Sequence, residues 1–525
     1  MRKTKSIPIF PMNFGLDTNS IPGTQDPRAL SVTKNIIINN RGSIKKKPGI
    51  RRIDYIGNDQ RNLQGAIHFF ATTGGSQRSE VIRVIGGRIE AIRDGIAVDL
   101  GVSVHPTDVV TFERFANVLI MHFENSPPQS YTIGGTPTDL TLLSGHSSSP
   151  PTFSRVHDFR LWYGGRPASP HILNVSEIND PNDYTLANGG FSMRINDGDG
   201  DPLGVTGLSP VFRGDIFAYK FNSIYRIYRN SNWYGIDPVT HEVGTVHHNT
   251  IVAVQNDIYS VSHGAINSLM NTDKYGAVEE ATLSYSIYDY FQKIVNWSAT
   301  KNMVAVYDKP SNCYLLSFAS SGSSENDHVI GFNVKSGQFF EWETVYYPVL
   351  ARYFDLGRQV TLVGDAEKGL GILDENETTD FEDPISIEVS TGIMFPLQNP
   401  KTRVNFTKVW LYAKPTLKST EINLSYWIDG NLINTITFDT EGDGATFEGT
   451  SGGVIGSGII GTQLIGKNKK DFIILESELR GEGNSIQFEL THTPPSSDPD
   501  QSCEIYGIEY EVDFEGLDDD ATVAI

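Results

Sequence analysis

Four groups of residues in this chain have types and spacings that could do chemistry. Asn196-Asp-Gly-Asp-Gly-Asp201 alternates carboxylates with glycine, so Asp197, Asp199 and Asp201 could offer hard oxygen ligands to calcium. The distal glutamate of an EF-hand is missing, since position 207 is glycine, and a solvated turn is the expected state. His241, His247 and His248 could converge on a metal from neighbouring strands, but adjacent histidines on one strand point to opposite faces, so at most one of that pair could join. Arg155, His157, Asp158 and Arg160 abut the aromatic run Leu161-Trp162-Tyr163 as an acid–base constellation. Strand alternation sets Arg155 and His157 opposite Asp158 and Arg160, which favours a structural Asp158–Arg160 pair over catalysis. The fourth group is Arg41-Gly-Ser-Ile-Lys-Lys-Lys-Pro-Gly-Ile-Arg-Arg52, six cations in twelve residues, suited to phosphates or to an acidic protein surface. Gly42 and Pro48-Gly49 impose turns around its charges.

Other chemistries fall away. There is no Gly-x-x-x-x-Gly-Lys-Ser/Thr phosphate loop. The Ser-x-Asp-x-Gly-x-x-Trp turn of sialidase-type propellers has no copy, and sequence alone singles out no catalytic pair among 63 acidic residues. No catalytic residue and no cofactor is assigned, and a non-enzymatic protein is expected.

The elements that must position these groups are strands. Fifty glycines and 26 prolines beside 22 tyrosines and 27 phenylalanines, in 525 residues, are the usage of short strands joined by tight turns. Clusters of two to four strand candidates recur between residues 66 and 373 at roughly 40–50-residue intervals, the period of propeller blades. Arg88 to Arg93 and Ile96 to Leu100, joined at Asp94-Gly95, read as part of a first four-stranded meander. After the acidic stretch 373–383, six cleanly alternating strands between Val404 and Val512 suggest a β-sandwich, interrupted by a Gly-rich excursion at 440–466. The expected fold is all-β: an extended N-terminal arm over 1–58, a β-propeller of about six to eight blades over 59–383, and a β-sandwich over 384–525.

The formal net charge of −21 opposes general adhesion to nucleic acid or acidic membranes. No apolar run approaches a membrane span, and neither a span nor a signal peptide is expected. Cys313 and Cys503, the only cysteines, make no disulfide framework or zinc site and suit folding in a reducing compartment.

The order Gly15-Leu-Asp17, Asp26-Pro27, Ala29-Leu30, Asn35, Ile37 and Arg41-Gly-Ser-Ile-Lys-Lys-Lys-Pro-Gly49 resembles the opening of tail nozzle proteins of short-tailed bacteriophages, also called tail-stabilisation proteins or tail tubular protein B. Phe159-Arg-Leu-Trp162 with Ser176-Glu-Ile-Asn-Asp-Pro-Asn-Asp-Tyr184 is similar to a strand and loop of that family, although Phe159 stands where the family often has Asp. Asn312 to Leu316, His328 to Val334 and Phe339 to Trp342 are similar to its late blade. The resemblance covers about two thirds of the chain. It implies a virion tail protein, made in the host cytoplasm, that self-associates into a ring, commonly of six copies. Such a ring would join the portal or head-to-tail adaptor to tail fibres or tip proteins, retain packaged double-stranded DNA and pass it without sequence-specific binding. An acidic bore suits that passage, because it repels the phosphate backbone. Arg41, Lys45, Lys46, Lys47, Arg51 and Arg52 would then dock on a neighbouring protein. The alternative is a carbohydrate-active or carbohydrate-binding propeller, glycosidase or lectin, with the sandwich as a binding module.

Overall fold

A computed structural model describes residues 2–21, 23–39, 42–54, 62–93, 95–144, 146–196, 198–231, 233–272, 277–343, 346–365, 367–416, 418–441 and 472–515. It forms two compact units, and the chain passes between them four times: residues 1–49, 338–342 and 375–525 make one, residues 50–337 and 343–374 the other. These bounds differ from the expected 58 and 383. The reason is that the N-terminal arm, though extended, is hydrogen-bonded into the sheets of the first unit.

The larger unit is a β-propeller. Among the described residues, five four-stranded antiparallel sheets follow one another from Leu63–Ser103 to Val252–Thr282. A sixth contributes Val304–Asp308, Cys313–Ala319 and Asn326–Asn333, and a seventh Val349–Asp355, Arg358–Asp365 and Gly369–Asp374. Residues 50–52 add the fourth strand of the seventh, beside Gly369–Asp374, so the beginning of this unit's chain closes its last blade. The first strand of each blade touches the first strand, or the turn leading into it, of the next, and Val349–Asp355 returns to Leu63–Thr73. Apolar side chains fill the spaces between blades: Phe69, Ile82 and Met121 between the first two, Trp162, Ile216 and Tyr225 between the third and fourth, Leu63, Val349 and Leu370 between the last and the first. The hairpin Ile85↔Arg88 turns through Gly86-Gly87, both at positive φ, as the two-glycine signal predicts.

The smaller unit is a β-sandwich. One sheet runs in the order Ile36–Ile38, Ile44–Lys46, Glu504–Glu515, Val404–Ala413, Ile473–Gly483, with Arg2–Ile9 also paired to Glu504–Glu515. The other includes Leu30–Lys34, Ile387–Thr391, Ile486–His492, Glu421–Ile428 and Asn431–Asp439. Phe488 of the second sheet meets Tyr510 of the first at 5.5 Å between ring centroids, within a core that holds Phe406, Leu424 and Ile508. Every one of the six expected strands forms. Most of the Gly-rich excursion, from 442 onward, lies outside the described residues.

The propeller also buries charge. Arg83 reaches Asp54 and lies 2.7 Å from Glu90, with all three side chains nearly inaccessible to water. Removing the guanidinium would take the opposite charge away from two buried carboxylates, so Arg83→Ala should lower the unfolding free energy by about 3–5 kcal/mol, read by chemical denaturation.

Candidate functional site

The basic segment begins with a turn in which the Asn39 amide donates to the Ser43 carbonyl at 3.0 Å and the Gly42 amide to Asn39 at 2.9 Å. Gly42 has φ +85°, a left-handed conformation that favours glycine, and a Cβ there would sit 2.9 Å from Asn13 Nδ2. Arg41 lies outside the described residues. The strand Ile44–Lys46 is held between Ile36–Ile38 and Glu504–Glu515, with Lys45 opposite Glu504 and 3.7 Å from its carboxylate. Lys46 points to the other face, where its ammonium donates to the Gln501 carbonyl. Lys47 is buried against Asp380 and lies 5.3 Å from the centre of the Trp342 ring. A Cβ on Gly49 would fall 2.4 Å from the Thr379 carbonyl oxygen, so no side chain fits there. Beyond it, within the propeller, Arg51 pairs with Asp355 and lies 3.4 Å from Asp374, and Arg52 donates to the Lys368 carbonyl.

Each described cation of the segment therefore engages its own chain. Strand alternation and burial turn Lys46 and Lys47 inward, against Gln501 and Asp380 of their own chain. Lys45 and Arg51 keep partial exposure.

Burial drives the Lys46 ammonium down to about 8, against the attraction of Cys503, Asp380 and Asp500. In the unfolded chain a lysine holds its proton to about pH 10.4. Between those values the unfolded state binds more protons, so the Lys46 contribution to stability rises with pH. Wild type should gain about 2 kcal/mol on Lys46→Met between pH 8 and 10, measured by denaturation at each pH. A constant difference would contradict this.

The acidic loop is closed by an ammonium from the protein itself. Asp199 accepts from Lys220 Nζ at 2.6 Å, Tyr225 Oη at 2.6 Å, Ser223 Oγ at 3.0 Å and the Asp201 amide at 3.0 Å. Burial alone would raise its pKa, but these donors together hold the carboxyl far below the usual carboxylate range. Lys220 also donates to the Asn196 carbonyl, and Asp201 accepts the Asn222 amide at 2.6 Å. Asp197 lies outside the described residues. Lys220 stands where a cation would be needed, which corrects the solvated-turn reading and weighs against calcium. The thermal midpoint should be the same in millimolar calcium and in EDTA, whereas Lys220→Met should cost about 3–5 kcal/mol of stability.

The histidines do not converge. His241 is exposed beside the Tyr225 ring. His247 and His248 sit at a 3-10 turn rather than on a strand; His247 accepts the Asn249 amide, and His248 accepts the Leu208 amide at 3.1 Å while stacking on Phe153. Burial lowers both, His247 to about 4 and His248 well below its ordinary value, so they are neutral acceptors at pH 7.

The Asp158–Arg160 pair also fails to form, because Asp158 and Phe159 are the two left-handed residues of a hairpin turn between His157 and Arg160. Asp158 instead accepts from Tyr234 Oη at 3.0 Å and lies 3.7 Å from Arg229. Arg160 donates to the Ser176 and Gly189 carbonyls, and Arg155 pairs with Glu113 at 2.9 Å. A Ser154–His122 contact of 2.8 Å, unforeseen in the sequence, is wholly buried and offers no entry to a substrate.

A groove of 620 Å³ opens on the third and fourth blades, lined by Leu143, Tyr184, Phe191, Trp233 and Tyr234 among others. Trp233 is 71% exposed, at the end of the hairpin Asn230↔Trp233. An aromatic just after the turn residues Asn230-Ser-Asn232 was the available signal for it.

No family model and no curated protein matches the chain. Among solved structures it is similar to the WD40 propeller domain of Doa1, at 11% identity and a TM-score of 0.39, over 61% of this chain and 95% of that one. YCF48 from Cyanidioschyzon merolae gives 11% and 0.38 over 60% and 95%. The extracellular domain of a putative hybrid two-component system from B. thetaiotaomicron gives 11% and 0.43 over 80% and 51%. Likenesses this low carry no argument, and the fold rests on the sheets themselves.

Proposed function

We propose that the protein is a structural, non-enzymatic component of a bacteriophage tail: a nozzle ring that closes the tail tube, retains packaged double-stranded DNA and lets it pass at ejection. The observation that carries this reading is the place of the residues behind the resemblance. Gly42, Lys46, Lys47 and Gly49 are each demanded by a turn, a buried ion or a backbone too close for any side chain, in a segment that supplies strands first to a sandwich and then to a propeller.

On this reading the net charge of −21 lets DNA slide through the ring unheld. Contacts to the portal or adaptor above and to fibre or tip proteins below come from surfaces other than Lys46 and Lys47. One observation favours the alternative, a glycan-binding propeller: the exposed Trp233 at its aromatic groove offers a face on which a sugar ring can stack.

Negative-stain images and native mass measurement of the protein with its adaptor should give closed rings of defined copy number. A lasting monomer that binds or cleaves glycans would overturn the tail reading in favour of the alternative.

A further inference from the structure

The first strands of the blades ring the central channel of the propeller, since each touches the next or the turn leading into it. Arg155 stands in the middle of Phe153–His157 of the third blade, and Arg352 in the middle of Val349–Asp355 of the seventh. Arg155 pairs with Glu113 of the second blade at 2.9 Å and donates through Nε to the Leu208 carbonyl of the fourth at 3.2 Å. Arg352 reaches past the sixth blade to donate to the Ala253 carbonyl of the fifth at 3.3 Å. Both guanidiniums thus come to the inner edges of adjacent blades, with one carboxylate for two cations. Arg83, Arg155 and Arg226 each have a carboxylate, whereas Arg352 has only that carbonyl among the described residues. The surrounding strands strip solvent from the Arg352 guanidinium and Arg155 repels it, and both effects hold it below its ordinary value. Water still reaches the side chain, so its setting is an open channel and not a packed core. A partly desolvated charge without a partner is costly.

We propose that the central channel of the propeller binds a small oxyanion, a phosphate or a carboxylate, at Arg352 and Arg155. The N–H donors that Arg352 leaves unused form a planar fork matched to two oxygens of such a group. Arg155 is tied to Glu113 and Leu208 through Nη1 and Nε, which leaves its Nη2 donors for the same anion. Two cations against one carboxylate leave a local positive surplus in a chain of net charge −21, and that surplus is what draws an anion inward. The channel is crossed at the end where the first strands begin. There Asn249 Nδ2, leading into the fifth blade, donates to the Val110 carbonyl of the second at 3.3 Å, and Lys301 lies 3.2 Å from Glu124. These crossings bar a threaded chain, so the occupant is small and enters from the opposite end. The inference goes beyond the tail reading: it concerns a single propeller and needs neither a ring nor an adaptor, so either can fail alone.

The test is the thermal midpoint of the full chain, with sodium phosphate titrated in one series and sodium acetate in another, at an ionic strength held constant with sodium chloride. An anion that binds the folded protein raises the midpoint. Phosphate also strengthens burial in any protein, so the reading is the difference between wild type and variants. Wild type should show a saturable rise with at least one of the two anions, and the tighter of them names the chemistry of the site. Arg352→Met should need about tenfold or more anion for the same rise. In chloride alone its midpoint should equal or exceed that of wild type, because an unanswered charge has been removed. Arg352→Lys, which keeps the charge and loses the fork, should fall between the two. Arg213→Met, which removes an exposed cation from the turn between Phe212 and Asp215, should titrate as wild type does. A rise that does not saturate with either anion, an equal response in Arg352→Met, the same loss in Arg213→Met, or a lowered midpoint of Arg352→Met in chloride would overturn the proposal.

Discussion

Lys47 is an ammonium taken out of water, and its charge has to be answered inside the sandwich. Asp380 answers it, the face of Trp342 lies close by, and the Trp342 indole in turn donates to the Ile36 carbonyl at 2.8 Å. Losing one member of such a group leaves an uncompensated charge or donor, so the path of residues 44–49 is narrowly fixed. Gly49 fixes it further, since its neighbour carbonyl leaves no room for a side chain. What reads as a solvent-facing basic patch is therefore internal architecture, continued by residues 50–52 as the last strand of the seventh blade. Sequence-independent attraction to nucleic acid needs exposed cations, and this segment has placed most of its own against carboxylates and carbonyls.

The same solution recurs in the propeller. Arg83 satisfies Asp54 and Glu90, and Lys220 gathers the Asp199 loop with help from Ser223 and Tyr225. Blades of few residues have little apolar material to fix their loops, and a buried ion pair with directional donors specifies one geometry. Each pair contributes little over an apolar equivalent, but breaking it is costly.

Much of the fold was legible because it depends on local rules. Period-two alternation marks Glu421–Ile428 and Ile486–His492, and Gly86-Gly87 marks a hairpin through its positive φ. Blade spacing follows from strand length. The partners of charged side chains were not legible, since they are set by contacts far apart in sequence. Lys47 and Asp380 are 333 positions apart, and nothing local distinguishes Lys220 as the cation of the Asp199 loop. Asp158 and Arg160 were misjudged because Phe159, a bulky residue, occupies a left-handed turn position that ordinarily calls for glycine or asparagine. The weave of residues 1–49 into the sandwich was hidden for the same reason: Arg2–Ile9 pairs with residues 508–515, at the opposite end of the chain.

The central claim joins a structural role in a tail to a basic segment that serves its own chain. Cryo-electron microscopy of the protein assembled with its adaptor tests both together. The account predicts a closed ring in which Lys46 and Lys47 of each copy remain against Gln501 and Asp380 of that same copy. A ring in which residues 44–52 leave their own sandwich to insert into a neighbour, or an absence of any ring, would contradict it.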